Sequence, residues 1–353
     1  LGALVEIVPD FYKNKKIFIS GHTGFKGTWL CQTLLHAGAE VSGYALEPPT
    51  NPSLFVQIGI GRKIHSVIGD VRDRDKFIKA MQGAKPDIVF HLAAQPLVRL
   101  SYREPATTYE TNIMGTVNVL EAVRLTPSVR SFVNVTSDKV YENKEWHWGY
   151  RENENLCGYD PYSNSKSCSE LVTYSYRNSF FYDDSAPAIS TARSGNVIAG
   201  GDYAEDRIIP DCIRAVSAGE EIIVRNPHSI RPYQHVLECI LGYLLLAEKQ
   251  YNDKSLDGAY NFGPNEEDCV STGALVQIFC DTWENAAGWR AQEDGGPHEA
   301  SFLKLDCSKA KAVLGWKPRW DIKTAVEKTV EFEKCNTDEE RIACIDRQVE
   351  DYF

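Results

Sequence analysis

Tyr162 and Lys166 stand four residues apart in the run Tyr162-Ser163-Asn164-Ser165-Lys166. On a helix, positions i and i+4 share a face, so the phenol and the ammonium become neighbours. A nearby ammonium stabilises a phenolate and draws the phenol down from about 10 towards neutrality, which makes a general base for a hydroxyl group. A second constellation precedes it. The run Val135-Thr136-Ser137-Asp138-Lys139-Val140-Tyr141 carries a hydroxyl, an acid and an amine in succession at the end of an apolar stretch. Ser137 can hold a substrate oxygen beside Tyr162, while Asp138 and Lys139 form an adjacent acid–base pair.

A third signal lies near the start. Gly21-His22-Thr23-Gly24-Phe25-Lys26-Gly27 spaces its glycines at i, i+3 and i+6, after the short apolar run Lys16–Ser20. The first glycine allows a tight turn, the second lets backbone N–H groups approach a pyrophosphate, and the third lets helix and strand pack closely. Between an apparent strand and an apparent helix, this spacing predicts a dinucleotide site. The end of the second strand, Tyr44-Ala45-Leu46-Glu47-Pro48, holds no Asp and no Arg, and Glu47 lies far out, so the choice between NAD and NADP stays open. Asp70-Val71 either reaches the adenine amino group or simply turns the chain, as Asp often does.

The elements that must carry these groups follow from the apolar pattern. Short apolar runs at Lys16–Ser20, Glu40–Leu46, Ile64–Gly69, Asp87–Leu92 and Ser131–Thr136 alternate with helical patterns at Thr28–Ala37, Arg74–Met81 and Tyr109–Leu125. Pro161–Phe181 reads as a helix and Ala188–Arg193 as a further strand. Strands buried on both faces and alternating with helices predict an α/β fold, a doubly wound parallel Rossmann sheet. Beyond Gly195 the chain is rich in Gly, Pro and charge, with mixed signals near 208–224, 235–250 and 271–285. We expect residues 1–195 to form the dinucleotide-binding domain and 196–353 to form mainly a smaller C-terminal α/β substrate-binding lobe, partly interleaved with the sheet. Glu331–Phe353, highly charged, reads as a terminal helix or tail.

Composition bounds the function classes. The 353 residues are 43% hydrophobic and 25% charged, an ordinary globular balance. A net charge of −11 argues against nucleic-acid or anionic-membrane partners. No run approaches the roughly 18 to 20 apolar residues of a membrane span. Leu1–Phe11 lacks the order of a secretory signal. The ten cysteines include no CxxC and no zinc-type spacing, so we expect reduced thiols in a reducing cytoplasm and no metal.

Taken in order, GHTGFKG (21–27), HLAAQP (91–96), TSDKVY (136–141), YSNSK (162–166), ARSGNVIAGGD (192–202) and RPYQHV (231–236) resemble the extended short-chain dehydrogenase/reductase family from Lys16 to about Trp320. Within it the chain is most similar to the branch that dehydrates CDP-glucose. Related thymidine-diphosphate enzymes carry Thr-Asp-Glu where this chain has Ser137-Asp138-Lys139, and epimerases lack the acid pair there. Arg231-Pro232-Tyr233 with Gln234-His235-Val236, and His22 and Lys26 in the glycine loop, favour the cytidine type.

The resemblance implies NAD as cofactor, with NADP not excluded, held by Gly21, Thr23, Gly24, Phe25, Lys26, Gly27, Asp70, Val71, Leu92, Ala93, Ala94, Tyr162 and Lys166. It implies oxidation of the sugar at C4, loss of water across C5–C6 and hydride return to C6. Tyr162 would take the C4 hydroxyl proton, Lys166 would hold the nicotinamide ribose, Ser137 would orient the C4 oxygen and Asp138 would protonate the departing C6 hydroxyl. Lys139 stands where relatives have the C5 base. A lysine desolvated beside Lys166 and the oxidised cofactor would be that base in neutral form, the reading we favour; otherwise it stabilises the enolate. Arg231, Arg207 and Asn196 would hold the diphosphate or inner sugar, with Arg207 alternatively a surface ion pair. Gln95 and Asn112 would line the sugar pocket. His91 reads as a satisfied core histidine, and Trp146 and Trp148 either shield the site or pack. A homodimer or homotetramer through the helices at 109–125 and 161–180 is expected, as is a role in supplying bacterial deoxyhexoses for lipopolysaccharide. A nucleotide-sugar epimerase, another 4,6-dehydratase and a non-catalytic dinucleotide sensor are the competing readings. The acid–base pair opposes epimerisation, and an intact Ser137/Tyr162/Lys166 set is superfluous in a sensor.

Overall fold

A computed structural model of the chain describes residues 9–284, 286–292 and 300–353. The expectation for Leu1–Phe11 and that for 271–285 therefore fall partly outside the described residues. The strands are β1 (Lys16–Ser20), β2 (Glu40–Ala45), β3 (His65–Ile68), β4 (Ile88–His91), β5 (Ser131–Val135), β6 (Ala188–Ser194), β7 (Val197–Ile198), β8 (Ile222–Val224), β9 (Gln234–His235), β10 (Ala259–Phe262) and β11 (Trp289–Ala291). Seven of them form one sheet in the order β10-β6-β5-β4-β1-β2-β3, with every pairing parallel. The order reverses between β1 and β4, so a crevice opens there above the strand C-termini.

Each central strand feeds two cores. Ile17, Ile19, Ile88, Phe90, Val133 and Val135 face one layer, while Phe18, Val89 and Phe132 face the other. This is why β4, β5 and β6 are buried along their whole length rather than at alternate positions. The first layer contains α1 (Phe25–His36) and, from far along the chain, α6 (Val236–Asn252) and α9 (Asp338–Tyr352). The opposite layer contains α2 (Arg74–Ala84), α3 (Gly115–Arg124) and α4 (Pro161–Phe180). A third cluster joins Ile209, Cys212, Ile222, Leu275, Phe279 and Val326 from α5 (Ile208–Ala218), β8, α7 (Thr272–Trp283) and α8 (Ile322–Glu333).

The structure revises several boundaries. Helix α1 starts at Phe25 rather than Thr28, because Gly24 serves as its N-cap and no side chain caps it. The helix expected over 109–125 begins earlier, at Pro105, whose fixed φ suits a first helical position. It then passes through a π turn at Glu110–Met114 before α3. The main sheet gains β10, a four-residue run between Gly258 and Gly263 too short to stand out in the sequence. The charged C-terminal stretch is no tail. Helix α8 closes at Glu333, and α9 opens on a capping box between Thr337 and Glu340. It buries Cys344, Ile345, Val349 and Tyr352 as one stripe beneath its charges. Among the described residues no helix is long and apolar enough to cross a membrane.

Candidate active site

A cavity of about 1880 Å³ follows the C-terminal rim of the sheet. All the residues assigned above to cofactor, catalysis or substrate line it except Asn112. The glycine loop forms one end. Gly21 has φ +82°, and a Cβ there would lie 2.6 Å from the Ala93 nitrogen. A Cβ on Gly27 would meet the Gly21 carbonyl oxygen at 2.1 Å, so helix and turn touch backbone to backbone. Gly24, by contrast, has nothing nearer than 3.5 Å to such a Cβ and faces the cavity. The uncapped N-terminus of α1 therefore presents N–H groups and positive dipole to open space, the cradle a pyrophosphate requires. A dinucleotide fits these residues. Thr23 Oγ1 donates to the Leu46 carbonyl at 2.9 Å and pins the loop to the end of β2. His22 turns away: its Nε2 lies 2.7 Å from Ser66 Oγ and its ring packs under Gly43.

Asp70 makes the chain turn that its sequence position allowed, and it also pairs with Arg72. Its Oδ1 accepts from the Arg72 backbone at 2.9 Å, the turn role, and its carboxylate grips the Arg72 guanidinium at the cavity wall. That grip holds the carboxyl below its usual range. His91 is a satisfied core residue: Nδ1 lies 2.6 Å from Ser20 Oγ and Nε2 3.3 Å from Thr116 Oγ1. Burial pushes it down to about 3, so it is neutral.

The catalytic candidates converge from two neighbouring elements. Asp160 caps α4, accepting from the Ser163 backbone at 2.9 Å, and Pro161 occupies the first helical position. Tyr162 and Lys166 then project from the first turns towards the end of β5. Tyr162 comes near Ser137, which draws its phenol downward. Ser137 Oγ donates to Asp138 Oδ1 at 3.0 Å. Asp138 is 1% exposed, and its Oδ2 is buried without a hydrogen-bond partner. Lys139 Nζ lies 3.5 Å from Asp138 Oδ1 and 3.3 Å from Asn196 Oδ1.

Electrostatics depart from expectation. Burial pushes the Tyr162 phenol up to about 12; Ser137 and Arg207 oppose this, and Asp138 reinforces it. Lys166 does not set the phenol in the chain by itself. Its ammonium donates to the Val135 carbonyl at 3.2 Å, and burial followed by the charge of Lys26 brings it down to about 8. Lys26 reaches over from the glycine loop, with Nζ 3.2 Å from both Ser194 Oγ and Tyr243 Oη. The cation felt by Lys166 is thus Lys26 rather than Lys139, whose own ammonium faces a carboxylate.

The Asn112 expectation is corrected, whereas Gln95 does border the cavity. Asn112 is 2% exposed and clamps the scaffold. Its Oδ1 accepts from the Gln95 backbone at 2.8 Å and its Nδ2 donates to Ser165 Oγ at 2.8 Å, tying the π turn to the catalytic helix. Gln95 borders the cavity, but its side chain is spent on Leu97 and Thr108. Beneath the site, Glu170, one turn beyond Lys166, takes bonds from Thr136, Thr191 and Arg193. Both partners of its pair with Arg193 are 3% exposed. No local pattern marked this brace.

At the far end, Arg207 lies 3.2 Å from Asp202, and the Arg231 guanidinium donates to the Ile230 and Ala300 carbonyls. Sequence reasoning missed Arg99 and Arg225, which share this wall; isolated arginines outside any motif carry no signal. Trp146 stacks on Tyr150 and Trp148 is 72% exposed; neither borders the cavity.

The chain is similar to known proteins over nearly its whole length. The chain is 47% identical to a CDP-glucose 4,6-dehydratase of Salmonella typhimurium, covering 98% of each, and 27% identical to a dTDP-glucose 4,6-dehydratase of Streptomyces antibioticus, covering 91% and 92%. In fold it is similar to a UDP-glucose 4-epimerase from Stenotrophomonas maltophila with bound NAD (TM-score 0.80, 23% identity, 91% and 98% covered). It is also similar to a dTDP-glucose 4,6-dehydratase from Streptomyces venezuelae with NAD bound (TM-score 0.76, 20% identity, 89% and 95% covered). Residues 18–329 match the GDP-mannose 4,6 dehydratase family, and with a full-length relative at 47% identity the chain belongs to that family of extended short-chain dehydrogenase/reductase proteins.

Proposed function

We propose that this chain is a hydro-lyase that converts CDP-glucose to CDP-4-keto-6-deoxyglucose and water. The observation that carries the reading is Asp138, a buried acid with one unpartnered oxygen, placed between Ser137 and Lys139 beside Tyr162. The C6 hydroxyl is a poor leaving group and C5–H is not acidic until C4 becomes a ketone. NAD, bound along the glycine loop, supplies the hydride acceptor at C4 and the hydride returned to C6. Glu47, which borders the cavity at the end of β2, favours NAD over a cofactor with an added phosphate there.

Tyr162 takes the C4 hydroxyl proton, with Ser137 orienting that oxygen. Lys166 holds the nicotinamide ribose, and Ser137 and Arg207 oppose the burial that keeps the phenol protonated. Asp138 protonates the departing C6 oxygen while Lys139 takes the C5 proton. The ion pair seen between them carries as many protons as the neutral acid and neutral amine this step needs. One proton passing from Lys139 to Asp138 converts the resting pair to the reactive pair. Arg207 and Arg231 bind the diphosphate, and Asn196 holds Lys139 and the inner sugar. Met114, Leu171 and Tyr174, exposed apolar residues on the π turn and α4, support a homodimer or larger homo-oligomer through these helices, in the cytoplasm.

Incubation with CDP-glucose and NAD should yield an alkali-sensitive 4-ketosugar, with deuterium from C4 recovered at C6. A C4 epimer without ketosugar, or turnover of another nucleotide sugar in preference, overturns the assignment. Exchange of the C5 proton with solvent should vanish in Lys139→Met; persistence would leave Lys139 only as an enolate stabiliser.

A further inference from the structure

Three arginines of the cavity are engaged by carboxylates from one short segment between β7 and α5. Asp202 Oδ2 lies 3.2 Å from Arg207 Nη1. Asp206 Oδ1 lies 2.7 Å from Arg225 Nη1 and 3.8 Å from Arg99 Nε. Arg99 belongs to the short helix Val98–Arg103 that follows β4, and Arg225 follows β8. Asp206 therefore links two walls of the cavity that are remote in sequence. It does so from φ +59°, a left-handed conformation that few residues with a Cβ adopt. All five residues border the cavity.

A carboxylate between two guanidinium groups occupies the electrostatic niche of one phosphate of a diphosphate. We propose that Asp206 is a built-in stand-in for the diphosphate, aligning Arg99 and Arg225 in the free protein and yielding them when a nucleoside diphosphate enters. This rests on the nucleotide-sugar reading above. The side chains are a quarter to a third exposed, so the pairs are modest and exchangeable. Arg225 keeps a second carboxylate, Asp211, at 3.8 Å once Asp206 leaves. The latch makes Asp206 an affinity-setting residue. Only a ligand that brings enough negative charge displaces it, so its cost falls on diphosphates, less on monophosphates and not on free nucleosides.

Calorimetric titration of the NAD-loaded protein with CDP, CMP and cytidine tests this. Asp206→Asn should bind CDP about threefold to tenfold more tightly, CMP with a smaller gain and cytidine unchanged, while Asp206→Glu keeps the wild-type order. Asp206→Ser, a second neutral variant, should reproduce the gain if the first does not fold. Weaker CDP binding, or an equal change for cytidine, overturns the latch, since a purely structural role would move all three ligands together. Binding of CDP without any gain removes the latch alone. Failure of wild type and variant alike to bind CDP, UDP, dTDP or GDP removes the nucleotide reading and the latch with it.

Discussion

The two ends of the cavity are built from different materials. At the cofactor end the wall is backbone: the turn at Gly21, the bare N-terminus of α1 and the strand ends of β4 and β5, in places so close that a single Cβ would collide. At the far end, residues 202–231 present long charged side chains held by ion pairs and carbonyl contacts. A wall of backbone has one arrangement, because every alternative breaks hydrogen bonds or overlaps atoms. A wall of arginines and carboxylates has several of similar energy. The invariant part of a cofactor suits the first; a substrate that must enter and leave suits the second.

Substitutions should separate the two. Tyr162→Phe, at the rigid end, should lower kcat by about 10²–10⁴ with CDP binding retained; ketosugar release together with calorimetry checks it, and near-normal turnover would remove Tyr162 from the chemistry. Glu170→Ala leaves Arg193 buried without its partner and should cost about 3–5 kcal/mol in urea unfolding. A loss under about 1 kcal/mol would mean that solvent reaches the brace. At the charged end, Arg231→Ala should raise KM about 10- to 100-fold, equivalent to about 1.5–3 kcal/mol of charged hydrogen bonding, with a modest fall in melting temperature from the two carbonyl bonds lost. Asn112→Ala, off the cavity wall, should cost about 1–3 kcal/mol of stability and leave KM alone; a KM change without destabilisation would return it to the sugar pocket.

The smallest effect is a pH shift. Lys166 is brought down to about 8, so its ammonium is lost as pH rises through that value, and kcat/KM should fall on that limb. Lys26 is one cause of the lowering. Lys26→Met should therefore move the limb to higher pH, and a limb that stays put would show that another group titrates there.

Local patterns were legible and long-range ones were not. The glycine loop, the Tyr162/Lys166 helix and β1 to β6 followed from spacing and apolar runs. The π turn that aims Asn112 did not, because one extra residue in a helical turn leaves periodicity almost intact. Strand β10 was missed because four residues between glycines resemble a loop until a sheet edge receives them. The C-terminal helix was masked by charge, since its apolar stripe is narrow and its partners are α1 and α6.

By itself, then, the sequence determined the kind of chemistry: a phosphate-cradling turn, a base with its cation on one helical face, and an acid beside an amine at a strand end, all set by neighbours within a few residues. Only the tertiary structure decided which groups govern one another. It brought Lys26 to Lys166, set Glu170 under Thr136 and suspended Asp206 between Arg99 and Arg225. Those relations depend on distances and desolvation created when segments far apart in the chain pack together, and no spacing along the chain encodes them.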